Sequence, residues 1–138
     1  MKNTLILITG LSASGKTTIG TALAEHLKLP FLSRDTFKEL LFDSLGWSDR
    51  EWSKKLGTSS YAVFYHVAEL LLKAHVSCVL ESNFKRDSDS AKVHDLQQRY
   101  GFRVVQIVCK ADGPVLFERF KERAASGHRH PGHVDTQN

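Results

Sequence analysis

A chain of 138 residues, 41% hydrophobic and 25% charged, has the composition of a folded globular domain and is long enough to bury about two-thirds of its unfolded surface. The formal charge of +4 is mild; it suits a phosphate-rich ligand and does not by itself argue for nucleic acid. No apolar run approaches the ~18 residues a membrane span needs, and the N-terminal apolar run is too short for a signal peptide.

Thr4-Leu5-Ile6-Leu7-Ile8-Thr9 is a short apolar, β-branched run and predicts a buried parallel strand. It feeds directly into Gly10-Leu11-Ser12-Ala13-Ser14-Gly15-Lys16-Thr17, which has the phosphate-binding form G-x-x-x-x-G-K-[ST]. Behind the motif, Ile19, Leu23 and Leu27 recur at helical spacing. Strand, glycine loop and helix are the context the motif needs. Gly10 and Gly15 permit backbone conformations that a Cβ forbids, so successive N–H groups turn inward as an anion nest. The first helical turn, with Thr18 in it, adds its own unpaired N–H groups and the positive end of its dipole. Residues Gly10 to Thr18 are therefore the candidate nucleotide cradle. Within it Lys16 is expected to reach the β- and γ-phosphates and Thr17 to offer its hydroxyl to Mg²⁺.

Leu29-Pro30-Phe31-Leu32-Ser33 predicts a short second strand, with Pro30 at its start, where proline is tolerated. It delivers Arg34 and Asp35 to the strand's C-terminal end, where open α/β sheets bind ligands. Asp35 opens a helix from Thr36 to about Leu45, with Phe37, Leu40 and Leu41 on its buried face. Two readings of Asp35 stand together: a helix N-cap, and a carboxylate facing the γ-phosphate that takes a proton from an acceptor hydroxyl. Arg34 and Lys38 are either site cations or solvated surface charges.

Gly46 to Gly57 is polar and turn-rich and holds Trp47 and Trp52. Ser48-Asp49-Arg50-Glu51 has the capping-box form and suggests a short helix. The interval either closes over an acceptor or is packed onto the domain by its tryptophans. Thr58 or Ser59 is expected to cap a long helix to about Ala74, with Phe64, Val67, Ala68, Leu71 and Leu72 as its apolar stripe and His66 structural on its flank.

Val76-Ser77-Cys78-Val79-Leu80 predicts the third strand, and Glu81-Ser82-Asn83 its outgoing end. An acidic residue closing an apolar strand is either a Walker-B carboxylate, which serves Mg²⁺, or a polar strand end. Asp87 starts a helix to about Arg99 that Tyr100-Gly101 ends, and Phe102 to Cys109 is the fourth strand. The cysteines, Cys78 and Cys109, both lie in strand-like runs and read as buried reduced thiols, which fits a cytoplasmic protein. Asp112 then caps a helix with Pro114 in its first turn, and Gly127 ends it. The tail carries His128, His130 and His133 at a spacing that matches no standard zinc pattern. It reads instead as a mobile lid, about 124–135, carrying cations. Arg123 and Arg129, with Arg119 one turn earlier, are candidates for stabilising the charge of a transferring phosphoryl group, or are exposed arginines at a helix end.

The order of these parts resembles the small P-loop kinases of the AAA-domain predicted-kinase family. These are related to polynucleotide 5′-kinase, zeta toxin, chloramphenicol phosphotransferase and, more distantly, gluconate and shikimate kinases. The resemblance rests on Gly10 to Thr17, Ser33-Arg34-Asp35, Leu80-Glu81-Ser82-Asn83-Phe84, Glu118 to Arg123 and Arg129-His130-Pro131-Gly132-His133. It implies ATP with Mg²⁺ as phosphoryl donor and Asp35 as general base. Relatives of polynucleotide kinase carry arginine three residues after that aspartate; here Lys38 stands there.

The expectation is thus an α/β P-loop kinase fold across 1–138: a parallel sheet in the order 2-3-1-4 with helices on both faces. Such kinases continue into a fifth strand, so the sheet is expected to lack one and the chain to stop inside or just past the lid. The expected activity is transfer of the γ-phosphoryl of Mg-ATP to a small-molecule hydroxyl, without a membrane partner. A polynucleotide 5′-hydroxyl kinase and a nucleotide-binding module without catalysis are the alternatives.

Overall fold

The computed structural model describes residues 3–11, 14–110, 114, 118, 122 and 130–133. Strands and helices alternate along it, except that two helices stand between the second and third strands. The strands are β1 (Thr4–Gly10), β2 (Phe31–Ser33), β3 (Cys78–Glu81) and β4 (Arg103–Cys109). The helices are α1 (Lys16–Leu27), α2 (Arg34–Leu45), α3 (Arg50–Lys73) and α4 (Arg86–Tyr100), and a 3₁₀ turn covers Pro131–His133. All strand pairs are parallel and the order is β2-β3-β1-β4, as the sequence predicts.

β1 and β3 read as apolar runs because the middle of the sheet is covered on both faces, whereas β4 is mostly exposed, with Val108 50% open to solvent. Leu5 and Leu7, level with Cys78 and Leu80, face α3 and α4 and pack on Phe64, Ala68, Leu72, Val93 and Leu96. Their neighbours Ile6 and Ile8, with Val79 and Cys109, face the other way, onto Ala24, Leu23 and Leu27 of α1. Each fully buried side chain of this kind contributes roughly 1.5–3 kcal/mol, so β1, buried between two layers, anchors the fold. Both cysteines are free and buried. No helix among the described residues is long and apolar enough to cross a membrane.

The helix boundaries correct several sequence expectations. α3 is one continuous helix rather than a short one followed by a long one capped at Thr58 or Ser59. Asp49 is its N-cap, accepting from the Trp52 N–H at 2.9 Å, and the Ser48–Glu51 box is not used. Thr58 and Ser59 bond back to the Lys54 and Lys55 carbonyls at 3.2 Å, which satisfies their hydroxyls inside a helix. α2 starts at Arg34, so Asp35 lies in its first turn and Ser33 occupies the cap position. Its buried anchor is Phe42, not Leu40, which is 58% exposed. Pro114, Glu118 and Glu122 are helical and exposed, at the spacing of one helix face; the rest of that segment lies outside the described residues.

Of the tail read as a lid, residues 130–133 are among those described. Residues 130–133 pack on α2. Gly132 sits so close to Phe42 that a Cβ would come within 2.3 Å of the ring, and His130 and His133 pair with Asp43 and Glu39. Phe42 needs apolar cover, and only a glycine lets the backbone approach that far.

Candidate active site

The C-terminal ends of β1, β2 and β3 lie level, with Ser33 beside Glu81 and Glu81 beside Ile8, so the segments leaving these strands converge on one edge of the sheet. After β1 the chain turns sharply. Gly10 has φ +143°, and a Cβ there would stand 2.5 Å from the Cys109 carbonyl oxygen. Gly15 has φ +97° and forms the left-handed cap from which α1 starts. The N-terminus of α1 has no side-chain cap, which leaves its first N–H groups for a ligand.

Lys16 is buried, and its ammonium donates to the carbonyls of Gly10 at 2.8 Å and Leu11 at 3.0 Å and to Asn83 Oδ1 at 2.7 Å. It therefore ties the loop to the end of β3. The Thr17 hydroxyl donates to Glu81 Oε1 at 2.8 Å. Glu81 is 5% exposed, and its other oxygen, Oε2, is buried without a hydrogen-bond partner among the described residues, as is Ser14 Oγ. A buried carboxylate oxygen with no donor is costly unless a cation or donor meets it. The Thr17 hydroxyl and the Glu81 carboxylate are hard oxygen ligands of the kind Mg²⁺ takes. Among the described residues no three His, Cys, Asp or Glu stand together, so such an ion would complete its shell with phosphate oxygens and water.

A cleft of about 260 Å³ opens here. Lys16, Glu81, Ser82 and Asn83 form one wall; Arg34, Asp35 and Lys38 of α2, with His133, form the other. The Arg34 guanidinium lies 4.8 Å from the Tyr61 ring centre and donates to the Gly57 carbonyl at 3.3 Å, so it is held rather than merely solvated. The Lys38 ammonium lies 5.6 Å from the Phe42 ring centre. Beneath the sheet, Tyr65 donates to the buried Asp89 at 2.6 Å; burial, then that carboxylate, push its phenol far above the ordinary range.

The structure thus brings Lys16, Thr17, Asp35 and Glu81 together, with Gly10, Ser14 and Gly15 shaping the loop. Leu11 and Thr18 are exposed beside it. Ser12, Ala13, Arg119, Arg123 and Arg129 lie outside the described residues. Trp47 and Trp52 do not line the cleft; Trp52 donates to the Gly46 carbonyl at 2.8 Å and ties the α2–α3 connection down. His66 is exposed on α3. For two cleft residues the contacts are not legible in the sequence: Asn83 reads only as a candidate hydrogen-bond partner of the acceptor, and here it accepts from Lys16. Asn83 stands two places after the strand-end carboxylate, a signal too thin to assign it. His133 reaches the cleft only through packing against α2.

Known proteins share both the sequence pattern and the fold. A family model described as an AAA domain matches residues 5–138. A candidate kinase from Chloroflexus aurantiacus J-10-fl superposes with a TM-score of 0.92 at 47% identity, over 96% of this chain and 72% of that one. Mycobacterium tuberculosis APS kinase CysC, solved with AMPPNP and APS, gives 0.64 at 19% identity, over 94% and 78%. The Pnkp1/Rnl/Hen1 RNA repair complex gives 0.71 at 17% identity, over 94% of this chain and 40% of that one. The last two share the fold alone. No curated protein matches the chain.

Proposed function

We propose, because this chain belongs to the AAA-domain family of small P-loop kinases, that it moves the γ-phosphoryl group of ATP to a hydroxyl of a small-molecule acceptor. One observation carries the reading. Lys16 and the Thr17–Glu81 pair stand on one side of a single cleft, and Asp35 stands on the other.

Phosphoryl transfer asks a protein mainly for position and charge. The loop N–H groups and Lys16 hold and neutralise the β- and γ-phosphate oxygens. Asp35 accepts the proton of the acceptor hydroxyl as its oxygen bonds to the γ-phosphorus. The bond from that phosphorus to the β,γ-bridging oxygen breaks, and ADP leaves. Mg²⁺, held by Thr17 and Glu81, would supply further neutralisation of phosphate charge. Arg119, Arg123 and Arg129 are the proposed sources of added positive charge around the transferring group.

Two measurements test this. Mg·ATP at ~100 times its dissociation constant should stabilise the folded chain by about 2.7 kcal/mol. Thermal unfolding should show a shift of several degrees that Lys16→Ala abolishes. An ADP-release screen should include small hydroxyl compounds and a 5′-hydroxyl oligonucleotide. Asp35→Asn should lower acceptor-dependent turnover by roughly 10²–10⁴ while the Mg·ATP shift persists. Intact turnover in Asp35→Asn would remove Asp35 as base.

A further inference from the structure

The segment 130–133 is fixed to α2 at three points. Gly132 lies against the Phe42 ring, His130 Nε2 meets Asp43 Oδ1 at 2.8 Å, and His133 Nε2 meets Glu39 Oε2 at 3.2 Å. The His133 ring stands edge-on to Phe42 with centroids 5.4 Å apart. Its side chain is only 3% exposed, yet it lines the cleft that holds Asp35.

These contacts divide the roles of the two ring nitrogens. An ionised carboxylate only accepts, so Nε2 carries the hydrogen that meets Glu39. In the neutral ring Nδ1 is then a lone-pair acceptor. It has no hydrogen-bond partner among the described residues. The ring lines the cleft, and Nδ1 is the ring nitrogen that Glu39 does not engage. Glu39 follows Asp35 by one helical turn, so the Asp35 carboxylate and the His133 imidazole belong to one wall.

We propose that His133 Nδ1 accepts a hydrogen bond from a second hydroxyl of the acceptor, beside the hydroxyl that meets Asp35, and that the acceptor is therefore a polyol. The proposal rests on the phosphoryl-transfer reading of the cleft and narrows it. The transfer is unchanged: the acceptor oxygen bonds to the γ-phosphorus, ADP leaves and the proton goes to Asp35. His133 takes no proton; it orients. A compound with one hydroxyl satisfies Asp35 and displaces water from Nδ1 without replacing its hydrogen bond, which a polar site discriminates against.

The test is ADP release with Mg·ATP and matched acceptors: glycerol against 1-propanol, and inositol against cyclohexanol. The polyol of at least one pair should have the higher kcat/KM, and His133→Phe should lower that polyol-to-mono-ol ratio by about tenfold. Phenylalanine keeps the ring on Phe42 and removes the nitrogen, and Glu39, 35% exposed, is left to water. Glu39→Gln keeps the imidazole but frees its tautomer, so it should lower the same ratio by less; it carries the test alone if His133→Phe does not fold. A ratio unchanged in the variant that folds overturns the proposal, and so does inertness of every polyol. Phosphorylation of a mono-ol or of a 5′-hydroxyl oligonucleotide with the polyols inert would overturn it and leave the kinase reading standing. Absence of any turnover together with absence of the Mg·ATP shift would overturn both.

Discussion

Glu81 shares one carboxylate oxygen with the Thr17 hydroxyl and keeps the other buried with no partner among the described residues. A charge in that condition does not stabilise the fold; it waits for a cation. Glu81→Gln should therefore leave the stability of the ligand-free chain within about 1 kcal/mol, because the amide can still accept from Thr17 and carries no buried charge. The same change should remove most of the difference between the thermal shifts given by ATP with Mg²⁺ and ATP with EDTA. A loss of more than about 2 kcal/mol in the ligand-free chain would instead make the carboxylate a structural group. At this scale the sequence announces Lys16 and Thr17 through the motif itself. It announces Asp35 and Glu81 only by their places at strand ends, and each also had a structural reading that residue type alone leaves open.

At the scale of elements, two glycines behave in opposite ways for visible reasons. Gly57 lies inside α3 with no positive φ, and a Cβ there would make ordinary contact with the Lys38 stem at 3.5 Å. Gly57→Ala should stabilise the chain by roughly 0.5–1 kcal/mol, since the helix gains propensity and the unfolded chain loses freedom. Gly132 is pressed onto Phe42, which is fully buried, and a Cβ would meet the ring of that packed side chain at 2.3 Å. Gly132→Ala should cost about 1–3 kcal/mol and loosen the His130–Asp43 and His133–Glu39 pairs. Urea unfolding of the two variants beside the parent checks both signs. The glycine at 57 misleads a reader of the sequence because a helix-disfavouring residue looks like a boundary. Packing of Phe64, Ala68 and Leu72 on the sheet holds the helix together through it.

At the scale of the whole molecule, the central strands β1 and β3 are buried between the two helical layers, and Cys78 sits in β3 at 0% exposure. Burial pushes its thiol up to about 12. The unfolded chain gives up that proton in the ordinary thiol range, whereas the folded chain keeps it. The stability contributed by the protonated thiol is therefore complete at neutral pH and falls as pH rises from the ordinary thiol range toward about 12. Urea midpoints measured from pH 7 to 10.5 should decline more steeply in the parent than in Cys78→Ala, whatever the absolute offset between them. Equal slopes would mean that the thiol reaches water in the folded state.

The sequence by itself determined the backbone plan. Thr4 to Thr9 is apolar on both alternating faces, so it had to be covered from two sides and hence lie in the middle of a parallel sheet. The motif from Gly10 to Thr17 then fixed where phosphate would be held, because its signal is local: glycines, a lysine and a hydroxyl at set spacing before a helix. Only the tertiary structure decided what stands opposite. That Lys16 reaches Asn83, that Glu81 takes the Thr17 hydroxyl, and that His133 comes to the wall of Asp35 are contacts across 67, 64 and about 98 residues of chain. Such contacts depend on how a sheet and a helix layer pack, with Phe42 and Gly132 setting one of them. Packing is a property of the whole surface of each element, and no short pattern along the chain encodes it.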